Sequence, residues 1–406
     1  MEDQQHAERP APDARRPASR RPRAPRSAHP VPDAPTPRAT APRGVRRAVL
    51  LAAACLVLAL LPGAPTAAAD GTTSGTSART ATGGLRAAAG GCRLTRKLVP
   101  RCPGGVLTGA YVHPHGHETW NAAVKRFERQ SGGRLGVVHF YSRGDSLFPS
   151  RGQRHALNRG AGRRLLFANW KPDDGYTWRQ VANGAADARL RAEARYLKKH
   201  WDRPMFLTVH HEPEDEVVAT SGSGYQARDY RAMYRHVEDV FDEVGADQVV
   251  WVMNYMGFQG WVQKAWFKNL YPGNAYVDWI AYDPYMAADL GGYDPGGLQG
   301  LINRHWGTDW RGFYRWARRH HASKPLMLAE WGIGERPGHA GWKGRFMRRL
   351  ARQLAQAPAL DAMIYFDSPV AAVAGDVTID TTASALKGFR RLRASRVLSK
   401  VVPSFG

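Results

Sequence analysis

Two glutamates stand where runs of strand-forming residues stop. Glu212 ends the β-rich part of LTVHHEPED (207–215), and Glu330 ends KPLMLAE (324–330). A carboxyl group at the end of a buried strand can sit partly out of water, and desolvation then favours its protonated form. Two such groups facing each other across a cleft meet the requirement for glycoside hydrolysis. One, kept neutral, protonates the leaving oxygen. The other, kept ionised by hydrogen bonds, attacks the anomeric carbon. A separation of about 5–5.5 Å goes with retention of configuration. On the seventh strand Leu326, Leu328 and Glu330 share one parity, which predicts that the carboxylate continues an apolar inward face.

The elements that must position this pair recur along the chain. Strand-like runs are VLTGAYV (106–112), LGVVHFY (135–141), RLLFANW (164–170), MFLTVHH (205–211), QVVWVMN (248–254), DWIAYDPY (278–285), KPLMLAE (324–330) and AMIYFDS (362–368). Amphipathic stretches lie between most of them. The clearest is 226–244, where Tyr230, Met233, Tyr234, Val237, Val240, Phe241 and Val244 recur at helical spacing. Eight strands alternating with helices predict an α/β fold, a (β/α)8 TIM barrel; a doubly wound open sheet is the alternative. In such a barrel the C-terminal strand ends form the active face. Here those ends carry Asn169-Trp170, His211-Glu212, Asn254-Tyr255, Asp283-Pro284-Tyr285, Glu330-Trp331 and Phe366-Asp367. The ends of strands four and seven face each other across such a mouth. Large aromatics suit the apolar C–H faces of sugar rings, so Trp170, Trp331 and Tyr285 are candidates for substrate contact.

The chain resembles glycoside hydrolase family 26 over SGYQARDYRAMYRHVEDVFDEVGADQVVWVMN, LYPGNAYVDWIAYDPY and KPLMLAEWG, most specifically across 205–335. That family contains retaining (β/α)8 enzymes, β-mannanases among them. The resemblance implies Glu212 as acid/base with His211 beside it on the sugar. It implies Glu330 as nucleophile, Tyr285 as its hydrogen-bond partner, and Trp170 as the tryptophan ending strand three. Asn254 and Phe366 complete the expected substrate-binding set. Two departures fall on the sugar subsites: PEDEVVATSGSG follows the acid/base where typical mannanases carry Asn, Gly and Trp, and Tyr365-Phe366 stands where a Trp is usual.

The rest of the sequence bounds the setting. Residues 1–47 are rich in Arg, Pro and Ala, the composition of a disordered basic region. Arg46 and Arg47 precede an apolar run from Ala48 to Leu61, and Ala67-Ala68-Ala69 resembles a signal-peptidase site, so 48–69 reads as an export signal. An uncleaved N-terminal anchor is the alternative. Residues 70–91 read as a flexible linker and 92–400 as the catalytic domain. Cys92 and Cys102 are expected to pair in an oxidising compartment. Residues 1–69 hold eleven Arg and five acidic residues, net +6, which leaves +17 of the total +23 for residues 70–406. This charge suits a polysaccharide substrate together with an anionic cell-wall polymer. Basic residues are scattered, which argues against nucleic acid. The expectation is a secreted monomer with no metal and no cofactor. HPHGHE (113–118) reads as a polar loop or substrate contact rather than a metal site, and Glu214-Asp215-Glu216 as a solvated acidic turn. No serine elbow G-x-S-x-G follows a strand. A non-catalytic sugar-binding barrel is the competing function.

Overall fold

The computed structural model describes residues 93–102, 105–158, 164–286, 296–371 and 374–398. The basic N-terminus, the export signal, the linker and Cys92 lie outside them, and so does the Cys92–Cys102 pairing. Within them, eight parallel strands run Leu107–Val112, Val137–Arg143, Leu165–Lys171, Met205–Val209, Val249–Tyr255, Trp279–Tyr282, Leu326–Ile333 and Leu360–Asp367. Each lies within a few residues of its sequence-predicted run. Neighbours in sequence are neighbours in the sheet, and strand one pairs with strand eight. Strand six pairs with strand seven through Ile280–Leu326, Ala281–Met327 and Tyr282–Leu328, which closes the ring. Tyr285–Met286 continues strand six past Asp283-Pro284 and pairs with Gly332 and Ile333. The fold is the expected (β/α)8 barrel, not an open sheet.

Alternation divides the buried residues into two layers. Inside the barrel lie Leu107, Val137, Leu165, Phe167, Phe206, Val250, Val252, Trp279, Ala281, Met327, Ala329, Ala362 and Ile364. The opposite parity packs outward against the helices. The helix Ala227–Val244 contributes Tyr230, Met233, Tyr234, Val237, Val240 and Phe241 to that outer layer, as its spacing predicts. It begins with a capping box between Gln226 and Asp229 and stops at Gly245, whose φ of 75° gives the left-handed C-cap that glycine adopts at least cost. Residues 93–102 seal the bottom of the barrel. Leu98 is fully buried there, Cys102 packs against the interior cluster, and Trp279 Nε1 donates to the Lys97 carbonyl at 2.8 Å. With the bottom filled, the mouth is the face left for chemistry.

Candidate active site

Strand seven corrects the parity argument. Leu326 and Leu328 belong to the outer layer, while Met327 and Ala329 point inward. Continued alternation would send Glu330 outward and Trp331 inward. The pairing with strand eight is irregular between Leu328 and Trp331, and the sides exchange there. Glu330 turns into the mouth, where Tyr141 Oη donates to Oε1 and Tyr285 Oη to Oε2, the latter at 2.8 Å. Trp331 goes outward instead, 2% exposed and edge-on to Tyr365.

Strand four makes the same exchange by another device. Phe206 points inward, so by parity His210 would follow. The backbone is left-handed at His210 (φ 48°) and again at Glu212 (φ 53°), a region costing on the order of 1–3 kcal/mol for a non-glycine residue. His210 N still donates to the Trp170 carbonyl at 2.7 Å, and Glu212 N to the Asn254 carbonyl at 3.1 Å, so the reversed segment stays laced to strands three and five. The His210 ring lies outside, edge-on to Trp178. His211 comes inside, its ring 5.5 Å from that of Tyr141 and its Nε2 3.9 Å from Glu330 Oε1. The ends of strands four and seven therefore meet across the mouth.

A third carboxyl group joins them. Asp283 is buried; its Oδ1 accepts from Glu330 N at 2.9 Å and its Oδ2 from Asn254 Nδ2 at 2.6 Å. All three acids are displaced upward. Burial does most of it for Glu212, and the charges of Glu330, Glu214 and Asp215 add to it, against a smaller lowering by a hydrogen bond with Asp283. For Asp283 burial is again first, then Glu330 and Glu212. Burial also raises Glu330, but the hydroxyls of Tyr141 and Tyr285 pull it back. The carboxyl with two phenolic donors is thus the one best able to carry a charge. Burial drives the His211 ring well below its ordinary value and keeps it neutral.

The structure thus brings together Glu212, Glu330, His211, Tyr285 and Asn254, with Phe366 at the rim. Phe366 stacks on Tyr111 at 4.9 Å and stands edge-on to Tyr285 at 6.1 Å. It does not bring in the two tryptophans. Trp170 is fully buried in the outer layer between Phe148 and Phe241, its Nε1 donating to the Gly144 carbonyl at 3.1 Å. Neither it nor Trp331 offers a face to a sugar, because each occupies the outward position beside an inward-facing site residue. The acidic turn is not simply solvated either: Glu214 is fully buried, accepting from Gly257 N at 3.2 Å, and Glu216 pairs with Lys171. Sequence reading missed Tyr141 and gave Asp283 no role. Parity on strand two, through Val137 and His139, could have found Tyr141. In the HPHGHE loop Glu118 pairs with Arg126. Among the described residues no group of three or more His, Cys, Asp or Glu is arranged to hold a metal ion.

Comparison with known proteins sets this geometry in context. No family model matches the chain. A curated protein, Endoglucanase H of Acetivibrio thermocellus, is 29% identical over 255 residues, a match covering 59% of this chain and 25% of that protein. Among solved structures, a ruminal GH26 endo-β-1,4-mannanase shows a TM-score of 0.49 at 16% identity, over 74% of this chain and 66% of that one. A β-mannanase from a symbiotic protist of the termite Reticulitermes speratus shows 0.49 at 15%, over 73% and 88%. The GH26 endo-β-1,4-mannanase of Bacillus sp. JAMB-750 shows 0.49 at 14%, over 74% and 91%. In its motifs the chain resembles glycoside hydrolase family 26.

Proposed function

We propose that this chain is a secreted, retaining glycoside hydrolase that cleaves β-linked polysaccharide by double displacement. Glu212, protonated at rest, gives its proton to the leaving glycosidic oxygen while the Glu330 carboxylate attacks the anomeric carbon. The glycosyl–enzyme ester that forms is then opened by water, whose proton returns to Glu212, and Glu330 leaves as a carboxylate. Tyr141 and Tyr285 orient the nucleophile and keep it ionised. Neutral His211 is placed to hydrogen-bond a sugar hydroxyl, and Asp283 with Asn254 steadies the backbone at Glu330. The observation that carries this reading is the unequal treatment of the two glutamates. Glu330 receives two hydroxyl donors, while burial and three neighbouring carboxylates press Glu212 toward its acid form.

β-1,4-Mannan leads the candidate substrates, on the family resemblance, and the name of the Acetivibrio relative, Endoglucanase H, supports glucan as the second candidate. Export rests on the Arg46-Arg47, Ala48–Leu61 and Ala67–Ala69 pattern. Among the described residues no helix is long and apolar enough to cross a membrane. The test is reducing-end release from a panel of β-mannans, β-glucans and xylans, with products analysed by chain length and anomeric configuration. Release with retained configuration on one polymer, lost in Glu330→Ala, is the expected result. Binding without cleavage across the panel would replace the enzyme with a sugar-binding barrel.

A further inference from the structure

The mechanism uses His211 and Glu212 but not the residue before them. His210 is 1% exposed and lies on the far side of the strand from the mouth. Its Nδ1 is 2.9 Å from Asp173 Oδ1, and its Nε2 is 3.1 Å from Glu216 Oε2. Asp173 comes from the loop after strand three; Glu216 comes from the single 3-10 turn Pro213–Glu216 that carries the chain away from Glu212. Lys171 closes on Glu216 from the end of strand three. The Nε2–Glu216 contact is a charge pair rather than an aligned hydrogen bond, and Trp178 Nε1 also donates toward Nδ1 at 3.4 Å, so what the two carboxylates on opposite sides favour is the charged imidazolium.

We propose that His210 is a positioning residue: gripped between Asp173 and Glu216, it fixes the reversed backbone that swings His211 and Glu212 into the mouth. This rests on Glu212 acting as the acid. Left-handed conformation at two non-glycine residues persists only where the surroundings over-determine it. The clamp supplies that determination at both ends of the reversed segment, ring to loop three on one side and ring to the following turn on the other.

The charges facing His210 are Asp173 and Lys171 from strand three and its loop, Glu216 from the 3-10 turn, and His211 next in sequence. Trp178 and Tyr230, from the helices Trp178–Ala182 and Ala227–Val244, cover it edge-on. Burial pulls the ring down, but Asp173 and Glu216 outweigh it and hold its pKa above the ordinary histidine value. Burial would raise Glu216, yet His210 and Lys171 bring it to about 2. As pH rises through the His210 titration, the ring loses the charge that draws Asp173 and Glu216 to it, and the segment loosens.

The test compares full-length wild type with His210→Gln and His210→Phe, and with Asp173→Asn and Glu216→Gln, which open one jaw each and leave the ring in place should the first pair fail to fold. Amide hydrogen exchange across 209–218, corrected for its intrinsic pH dependence, reads the clamp without any substrate. It should rise with pH in wild type and be raised and flat in His210→Gln. Turnover of polymer should fall about 10–100-fold, whereas the first-step burst of dinitrophenol from an activated aryl β-glycoside, which needs no acid, should keep its rate within a few-fold while the later hydrolysis step, which uses Glu212 as base, slows. Unchanged exchange in every variant overturns the clamp. Raised exchange with equal losses in polymer turnover and in the burst rate overturns the link to Glu212. A wild type that cleaves nothing sinks the glycosidase reading instead, and exchange alone then decides whether the segment is clamped.

Discussion

Strands four and seven differ from the other six. On strands one, two, three, five, six and eight, alternation runs without a break to the mouth, and the residues it delivers there are Tyr111, Tyr141, Asn169, Asn254, Asp283 and Phe366. On strands four and seven it breaks one residue before the site, by a left-handed His210 in one and an irregular register in the other. The regular strands supply the walls and the hydrogen-bond donors, while the irregular ones supply the two glutamates. Unbroken alternation would leave a carboxylate at position 330 in the apolar outer layer. The break lets a barrel packed on both faces still present a charged group at one end.

The largest expected effect tests the inward turn of Glu330. Glu330→Ala should reduce polymer turnover by about 10⁴-fold or more, the scale of losing a covalent nucleophile. Glu212→Ala should spare the first step for substrates with very good leaving groups. Tyr285→Phe and Tyr141→Phe should each cost about 10–100-fold, since each removes one donor but not the carboxylate. Equal, small losses for all four, measured as kcat/KM, would mean that the mouth formed by strands four and seven is not where the chemistry occurs.

Next comes the outward side of the same strand ends. Trp170→Ala should destabilise the fold by about 3–5 kcal/mol, as large-to-small changes in packed cores do. Trp170→Phe should recover part of that with KM unchanged. A KM that rises at unaltered unfolding midpoint would put the indole in a sugar subsite and reverse its assignment to the outer layer.

These two positions also show what the sequence could convey. Strand positions were legible because β-branched and aromatic runs end in turn residues, and the carboxylates at strand ends were legible as chemistry. Which way each side chain points was not. Parity gave the right destination for Glu330 by a wrong route, since Leu326 and Leu328 face the helices. Trp170 and Trp331 were misread because adjacency in sequence to a site residue means, on a strand, the opposite face. Left-handed turns and register shifts are set by pairing with neighbouring strands, and nothing in HHE or AEWG encodes them locally. Tyr141 was recoverable, because strand two keeps its period to the end.

A smaller effect separates carboxylates that serve the mouth from one that does not. Glu193 lies buried on the helix Asp187–His200, accepting from Phe148 N at 3.2 Å, and burial raises it to about 9. A group raised in the fold contributes stability that is complete below its unfolded value, near 4.5, and is lost as pH rises toward 9. Glu193→Gln should therefore match wild type at pH 4 and exceed its Tm at pH 8 by on the order of a few degrees. The pH–rate profile should not move, because the side chain is remote from the glutamate pair.

Glu214 gives the smallest shift and the sharpest discrimination. Like Glu193 it is fully buried, and burial lifts it to about 7. Unlike Glu193, it sits two residues from Glu212, the proposed acid, and its charge is among the influences that raise Glu212. That charge exists only above about pH 7, so it acts on the alkaline limb, where Glu212 must keep its proton. Removing it in Glu214→Gln lets Glu212 ionise sooner. The alkaline limb of kcat/KM should move to lower pH by a few tenths of a unit, with the acid limb unchanged. Because Gln can still accept from Gly257 N, the loop contact survives and only the charge is lost. A shift to higher pH would mean that Glu214 stabilises the Glu212 anion, and that the acid's proton is held by something other than the carboxylates gathered around it.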